Sequence, residues 1–280
     1  MDTNAPPRQP HRRWVDLKTT EFSALPSDTV AVLPVGAVEQ HGPHLPVSVD
    51  ACISETLVEM AMAKAAGLSV LVLPIQAIGK SNEHIGFPGT LSLSAETLIR
   101  LWTEIGESVH RAGIRRMVIL NSHGGQPQIV DVVARDLRVR LGMFVATASW
   151  WQLGGLERFF SENELKHGIH GGAVETSLML HFRPDLVSMN MAKNFVSLSE
   201  VLADEYRFLR PEGEGIGFGW QMQDLHPEGA CGDALAADAA VGAKIADDIS
   251  DRLVQLLQEV ARYPLDRIRH REPNPTRSVR

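Results

Sequence analysis

Cysteine is scarce in this 280-residue chain, which contains only Cys52 and Cys231. Two thiols cannot form a disulfide framework, and they are too few for a structural zinc site. The sequence also lacks any apolar run near the roughly 18 residues that a membrane-crossing helix needs. Residues 1–13 are rich in Pro and Arg and have no apolar segment of the signal-peptide kind. These absences predict a cytosolic protein.

Clustered basic charge is missing as well. The net charge is −7, and the Lys and Arg residues are scattered through the body of the chain. A protein that binds a phosphate backbone would concentrate them, so we expect neither nucleic acid nor membrane to be the main partner. The apolar fraction of 44% suits a globular core.

Strand-like and helical patterns alternate along the chain. Because parallel strands need helical crossovers, this alternation predicts an α/β fold with one mostly parallel sheet covered on both faces. We expect a single domain over residues 14–263, a flexible arm at 1–13 and a basic flexible tail at 264–280. The predicted strands are 29–35, 68–75, 116–120 and 143–149, and the predicted helices are 50–66, 94–112, 126–141, 172–182 and 238–262.

The first strand ends at Gly36 in a loop that carries several possible metal ligands. Glu39 and His41 are two residues apart, so on an extended segment their side chains leave the same face. Asp50 stands where the next helix is predicted to begin, at an N-cap position. Two carboxylates and an imidazole at the carboxyl edge of a strand indicate one wall of a divalent-metal site. The alternative is a solvated loop whose polar residues only cap and turn.

A second polar segment follows the third strand and reads Asn121-Ser-His-Gly-Gly-Gln126. Its glycines let the backbone turn tightly near a ligand, with His123 projecting as a second wall of the site. The segment could instead be an anion cradle at a helix N-terminus, or a turn with a satisfied histidine. The sequence is not a GxSxG elbow, so Ser122 is a poor candidate for a nucleophile.

A third segment, beginning at His167, places His170 and two glycines before a helix that carries Glu175 in its first turn. The run around Glu175 is otherwise apolar enough to be buried. A lone buried carboxylate is costly unless it meets a cation, which could be a metal ion or an Arg or Lys side chain. The HExxH and HxxxH patterns are absent, so the helical chemistry of zincins is not supported.

Five motifs in order across residues 30–250 resemble the creatininase (creatinine amidohydrolase) family. The resemblance implies a three-layer α/β/α sandwich, often assembled as a hexamer, with one or two metal ions that hydrolyse C–N bonds of cyclic or linear amides. The matching segments are Val35-Gly-Ala-Val-Glu-Gln-His-Gly-Pro-His-Leu-Pro with Asp50, His84-Ile-Gly-Phe-Pro-Gly-Thr90, Asn121-Ser-His-Gly-Gly, His170-Gly-Gly-Ala-Val-Glu-Thr176 and Gly232-Asp-Ala.

The resemblance also implies roles for individual residues. Asp50 would bridge two ions, while His170 and Glu175 would form the pair associated with catalysis or, for Glu175, with metal ligation. The metal ligands would be Glu39, His41, Asp50, His123 and Glu175.

One departure from creatininase itself is Gly125, because that enzyme has a glutamate ligand two residues after the histidine that matches His123. This makes Glu175 the expected last ligand and weakens creatinine as the substrate. It favours the wider family, which includes formylamide hydrolases of pyrimidine-type intermediates and a peptidase that acts in redox-cofactor maturation.

The chemistry of the residues fits the same class. Imidazoles and carboxylates without thiolates suit Zn, Mn or Fe(II), which would activate water and polarise an amide carbonyl. His170 would carry the proton to the leaving nitrogen, a task that suits an imidazole near neutral pH. Glu175 is the next candidate general base if it is not a ligand.

Other side chains are candidates for contacting the substrate. Two tryptophans end the fourth strand, and one of them could stack on a planar substrate. Consecutive residues of a strand face opposite ways, so the other would be core. The segment Gly213–Trp220 could be a lid or an intersubunit wall, or a disordered loop. The substrate-binding candidates are Trp150, Trp151, His84, Ser122 and Trp220.

We therefore expect a metal-dependent amidohydrolase of a small cyclic amide, a formamide or a related compound. Two alternatives remain open at this point. One is a non-catalytic protein that binds a small molecule or an anion on the same fold. The other is a serine hydrolase that uses Ser122, which would survive chelation.

Overall fold

The computed structural model describes residues 13–211 and 216–269. Four parallel strands form its central sheet, in the order β2-β1-β3-β4, and two short antiparallel strands pair separately. The strands are β1 Val30–Val35, β2 Val70–Val72, β3 Arg116–Asn121, β4 Phe144–Ser149, β5 Asn194–Phe195 and β6 Gly232–Asp233. The helices are α1 Thr19–Phe22, α2 Val49–Lys64, α3 Ala95–Arg111, α4 Pro127–Leu141, α5 Glu162–His167, α6 Ala173–Phe182, α7 Leu198–Glu205, α8 Met222–Leu225 and α9 Ala239–Arg262.

The two inner strands are buried over their whole length, which explains their continuous apolar sequence. β1 pairs with β3 in parallel from Val30 opposite Arg116 to Val35 opposite Asn121. Helices cover both faces of the sheet, so the predicted α/β/α sandwich is confirmed.

β2 is shorter than the predicted strand over residues 68–75. Its chain still follows β1, because the Leu73 N–H donates to the Val32 carbonyl at 2.9 Å and the Gln76 N–H donates to the Pro34 carbonyl at 3.0 Å. These two donors are three residues apart, whereas every second residue donates in a regular parallel ladder, so the ladder is interrupted between Leu73 and Gln76.

The helix ends follow local sequence signals. The Ser94 hydroxyl caps α3 by accepting from the Thr97 N–H at 3.2 Å. Gly113, just beyond the end of α3, has a φ of +90°, a backbone conformation that favours glycine. Asp238 caps α9, and its carboxylate accepts from two backbone N–H groups of the first turn. These boundaries were therefore predictable to within a residue or two.

Two apolar clusters hold the layers together. The first packs α3 and α4 against one face of the sheet, and the second packs α2 and α9 against the other face. A third cluster joins α6 to the outer parts of α2 and α9. Each sheet face is covered by apolar side chains, and this burial is the main stabilising term of such a fold.

The strand order places a crevice at the carboxyl ends of β1 and β3. The chain leaves β1 toward α2 on one face and leaves β3 toward α4 on the other, so the two loops diverge between neighbouring strands. Ligands bind at such switch points in open α/β sheets. Two of the predicted ligand-bearing loops are the ones that meet here.

Parts of the predicted organisation lie outside the described residues. The arm at 1–13 is described only at Arg13, the tail at 264–280 only to residue 269, and the segment Gly213–Trp220 only from residue 216. Within the described parts of the chain, none of the helices has the length and apolar character to cross a bilayer.

Candidate active site

The loop after β1 delivers Glu39 and His41 into the crevice, and both side chains are buried. His41 Nδ1 lies 3.0 Å from the Glu39 carbonyl oxygen. A carbonyl can only accept, so this bond places the ring proton on Nδ1 and leaves Nε2 with a free lone pair. His41 Nε2 faces the carboxylates of the site, at 3.9 Å from Glu39 Oε1.

Asp50 lies in the first turn of α2. The predicted N-cap position was wrong, because α2 begins at Val49 and Ser48 stands at the N-cap. The Asp50 carboxylate turns into the crevice and divides its oxygens between two rings. Oδ1 lies 3.3 Å from His41 Nε2, and Oδ2 lies 3.3 Å from His123 Nδ1.

His123 enters from the loop after β3. Asn121 shapes this loop, since its side-chain amide donates to the His123 carbonyl at 2.8 Å and its Oδ1 accepts from the His123 N–H at 3.2 Å. The ring is thereby held with Nδ1 3.1 Å from Glu39 Oε2. Two residues that are 84 positions apart in the sequence thus meet at the switch point.

Glu175 comes from the first turn of α6. Its Oε2 accepts from the Gly171 N–H at 2.6 Å, and its Oε1 lies 3.9 Å from His41 Nε2. Gly171 has a φ of +65°, and a β-carbon there would lie 3.2 Å from the His41 carbonyl oxygen. The glycine therefore permits the turn that presents Glu175 to the site.

These side chains form two groups that share Asp50. In each group, one possible ligand atom per residue lies within 4.8 Å of the others. One group is Glu39, Asp50 and His123, and the other is His41, Asp50 and Glu175. A carboxylate that faces two such groups with different oxygens has the arrangement of a bridging ligand.

The charges and unpaired atoms of the site fit bound divalent cations. Glu39 Oε2, His41 Nε2 and Asp50 Oδ2 are buried, and none of the described residues makes a hydrogen bond to them. Over residues 13–211 and 216–269, the ion pairs of Glu39, Asp50 and Glu175 are all with histidine rings. Two buried carboxylates, Glu39 and Asp50, and the partly buried Glu175 are costly without Lys or Arg unless another cation neutralises them.

The site strongly shifts the pKa values of His41 and His123. Burial lowers the pKa of His41, but the close contact with Asp50 and the charges of Glu175 and Asp50 outweigh it and raise the pKa to about 9. Burial likewise lowers the pKa of His123, and the Glu39 and Asp50 carboxylates raise it well above its usual value. The raised pKa values mean that the surrounding carboxylates favour positive charge at both rings. A bound cation would supply such a charge.

His170 sits beside the two groups as a neutral ring. Its Nε2 lies 2.6 Å from the Gln40 carbonyl oxygen, which can only accept, so Nδ1 carries the lone pair and lies 3.7 Å from Glu39 Oε1. The ring stacks on His41 with centroids 4.1 Å apart. Burial and the neighbouring charge of His41 lower the pKa of His170 well below its usual value.

Gln40 was not among the predicted site residues. Its side-chain nitrogen lies 2.9 Å from His84 Nδ1, and its Oε1 accepts from the Gly42 N–H at 3.0 Å. The amide therefore donates to His84 Nδ1, and the His84 ring proton lies on Nε2, 3.6 Å from Glu39 Oε1. The only signal in the sequence is its position between the predicted ligands Glu39 and His41.

The substrate-binding candidates lie in different surroundings. Ser122 is buried, and its Oγ has no hydrogen-bond partner among the described residues. Trp220 meets His84 edge-on with centroids 6.5 Å apart, and its Nε1 donates to the Pro211 carbonyl at 2.8 Å. Substrate contact by these residues and by His84 stays a prediction.

The two tryptophans after β4 lie in a 3₁₀ turn, Trp150–Leu153. The argument from strand alternation was therefore wrong, because the strand ends at Ser149 before either tryptophan. Trp150 is buried in the apolar cluster between α2, α6 and α9, and Trp151 packs against the same cluster. These contacts give both rings a packing role, and substrate stacking stays a prediction.

Comparison with known proteins identifies relatives of this chain. A family model described as "Creatininase: Creatinine amidohydrolase" matches residues 15–257. The "Mycofactocin precursor peptide peptidase" of Mycobacterium ulcerans is 31% identical over 248 residues, which cover 85% of this chain and 89% of the relative. The "Creatinine amidohydrolase" of Pseudomonas putida is 33% identical over 189 residues, 62% of this chain and 72% of the relative.

A solved structure supports the same relationship. It is a creatininase variant described as "Zn-Zn type", which superposes with a TM-score of 0.71 at 25% identity. The superposition covers 88% of this chain and 97% of that chain.

Proposed function

Because the chain belongs to the creatininase family of amidohydrolases, we propose that it hydrolyses a C–N amide bond of a small substrate with the help of divalent metal ions. One observation carries the proposal. The two oxygens of Asp50 face His41 and His123 separately, at 3.3 Å each, in a site where Glu39 Oε2, His41 Nε2 and Asp50 Oδ2 are buried without a hydrogen bond from any described residue.

The proposed site holds two cations. Glu39, Asp50 and His123 would hold one, and His41, Asp50 and Glu175 would hold the other. Bound Zn, Mn or Fe(II) would supply a Lewis acid for the amide carbonyl and would lower the pKa of water. Glu175 fits the role of a ligand because its Oε1 faces His41 while its Oε2 is fixed by the Gly171 N–H.

His170 is proposed to move the proton to the leaving nitrogen. The Gln40 carbonyl holds the Nε2 proton, so Nδ1 is free to take up and release a proton on the side of the site. The nearby carboxylate of Glu39 would stabilise the imidazolium that forms. General acid–base catalysis by such a group typically contributes 10²- to 10⁴-fold in rate.

The substrate is proposed to be a small cyclic amide, a formamide or a related compound. Gly125 argues against creatinine itself, because a carboxylate from that position is absent. A peptide amide is the second candidate, favoured by the similarity of 85% of this chain to a precursor-peptide peptidase. Fold alone does not choose between them, since substrate choice lies in the loops.

Metal analysis with a substrate panel tests the proposal. Purified protein should contain close to two equivalents of Zn, Mn or Fe by elemental analysis. It should hydrolyse at least one of a set of creatinine, formamides, cyclic imides and short peptides, and a chelator should abolish this activity.

Stoichiometric metal without turnover of any class would favour the binding-protein alternative. Turnover that resists chelation would favour a serine enzyme that uses Ser122, and either result would contradict the proposal.

Assembly and location are further predictions from the family resemblance. We propose a homo-oligomer, with a hexamer expected, in the cytosol. Light scattering of the purified protein at several concentrations checks the assembly, and fractionation of cells that express a tagged chain checks the location. A monomer at all concentrations would contradict the first expectation.

A further inference from the structure

Glu83 brings a third carboxylate to His123 on the side of the ring that faces away from the proposed cations. Its buried Oε1 lies 3.1 Å from His123 Nε2, in ion-pair contact, and no other described residue offers it a hydrogen bond. The same ring nitrogen lies 2.9 Å from the Lys80 carbonyl oxygen. Acceptors therefore surround Nε2, which places the ring proton there. The lone pair is then on Nδ1, the nitrogen that faces Glu39 and Asp50.

Gly125 makes room for this carboxylate. A β-carbon at residue 125 would overlap Glu83 Oε1 and would lie 2.5 Å from His123 Nε2. Neither neighbour is at an open surface, since His123 is buried and the Glu83 side chain is only 12% exposed. The position of Glu83 and the absence of a side chain at residue 125 are thus two parts of one arrangement.

We propose that Glu83 is a positioning residue, which holds the His123 ring and increases its strength as a metal ligand. This inference rests on the proposed function of the site. The Lys80 carbonyl oxygen can accept the ring proton on Nε2. Among the described residues, only Glu83 adds a full negative charge beside that nitrogen. A carboxylate at the outer nitrogen of a metal-bound histidine raises the basicity of the inner nitrogen, and its loss typically weakens metal binding 10- to 100-fold.

The other possible role of Glu83 is as a direct ligand in a group with Glu39 and His84, whose ligand atoms lie within 4.8 Å of one another. His84 argues against this role. The Gln40 amide donates to His84 Nδ1 at 2.9 Å, so the ring nitrogen that faces Glu39 carries a proton and has no lone pair for a cation.

Zinc titration of two Glu83 variants tests the proposal. The metal-free wild type, Glu83→Ala and Glu83→Gln are titrated with Zn²⁺ against a chromophoric chelator. Glu59→Gln, an exposed change on α2, serves as the matched control. We expect the Kd for zinc to rise 10- to 100-fold in Glu83→Ala and by less in Glu83→Gln, which keeps an acceptor but loses the charge. The control should equal the wild type.

The outcomes separate this proposal from the proposed function. Wild-type Kd values in both Glu83 variants would overturn the role of Glu83 and leave the metal site intact. Failure of the wild type itself to bind zinc would overturn the proposed function. Circular dichroism melting verifies folding, and the isosteric Glu83→Gln keeps the test decisive if Glu83→Ala does not fold. A Glu83→Gln protein that binds zinc as weakly as Glu83→Ala also supports the proposal, because it assigns the whole effect to charge.

Discussion

The carboxylate of Glu83 occupies the space in which a side chain on residue 125 would begin, and Gly125 leaves that space open. These two residues come from different loops, which follow β2 and β3. Their contact links the loop of His84 to the loop of His123. It also gives a steric reason for a glycine at a position whose φ is not in the left-handed region.

Gly125→Ala should damage the site through this contact. The new β-carbon would displace Glu83 and the His123 ring, and overpacking of this kind typically costs about 1–3 kcal/mol. We expect a lower free energy of unfolding in urea and a higher Kd for zinc. Gly219→Ala is the control for stability, because a β-carbon there meets no atom of the described residues within 4 Å. Wild-type stability and wild-type zinc affinity in Gly125→Ala would show that the space is not needed.

Asp50 and Glu175 should differ in how many metal ions depend on them. Asp50 faces both ligand groups, whereas Glu175 belongs only to the group of His41. Asp50→Ala should therefore lose both ions, and Glu175→Gln should keep one. Elemental analysis after dialysis measures the stoichiometry, with the exposed Asp28→Asn as control. Two ions retained in Glu175→Gln would instead assign Glu175 to the role of general base.

His170→Ala should lower the rate without removing metal. The ring is proposed to transfer a proton, and its Nδ1 faces Glu39 without belonging to either group that shares Asp50. We expect kcat to fall by roughly 10²- to 10⁴-fold while the metal content stays unchanged. His181→Ala, an exposed change on the same α6 helix as Glu175, should have no effect. A metal-depleted His170→Ala protein would mean that His170 is a ligand.

His44 should make the fold sensitive to acid. The ring is buried and bonded to Thr176 Oγ1 at 2.9 Å, and burial lowers its pKa from 6.5 to about 4. Between these two values the unfolded chain binds a proton that the folded chain does not. Stability therefore falls as the pH decreases from 6.5 to 4, by at most roughly 3 kcal/mol from this residue.

Replacement of His44 tests that slope. His44→Gln, which can still reach Thr176, should lose less stability than the wild type between pH 6.5 and pH 4.5 in urea denaturation. Between pH 7 and pH 8 the free energies of unfolding of the two proteins should change in parallel. In that range His44 is neutral in both the folded and the unfolded wild type. An equal acid slope in the two proteins would show that other groups cause the loss.

Local signals in the sequence account for most of the secondary structure. The apolar runs of β1 and β3, the Ser94 cap and the glycine after α3 were all readable, because each acts over a few neighbouring residues. The length of β2 was not, because the apolar run continues to Ile75 while the regular spacing of N–H donors to β1 ends at Leu73. The tryptophans after β4 were placed in a strand because a 3₁₀ turn has no strong sequence signal.

The sequence by itself determined which residues could bind metal, because Glu39, His41, Asp50, His123, His170 and Glu175 have the required chemistry and follow predicted strands or precede predicted helices. Only the tertiary structure decided how they share a site. The order β2-β1-β3-β4 makes β1 and β3 neighbours, and this pairing brings His123 within 3.1 Å of Glu39. The division of the Asp50 oxygens and the contact of Glu83 with Gly125 depend on side chains that meet across loops. Such contacts between distant residues leave no periodic pattern in the sequence.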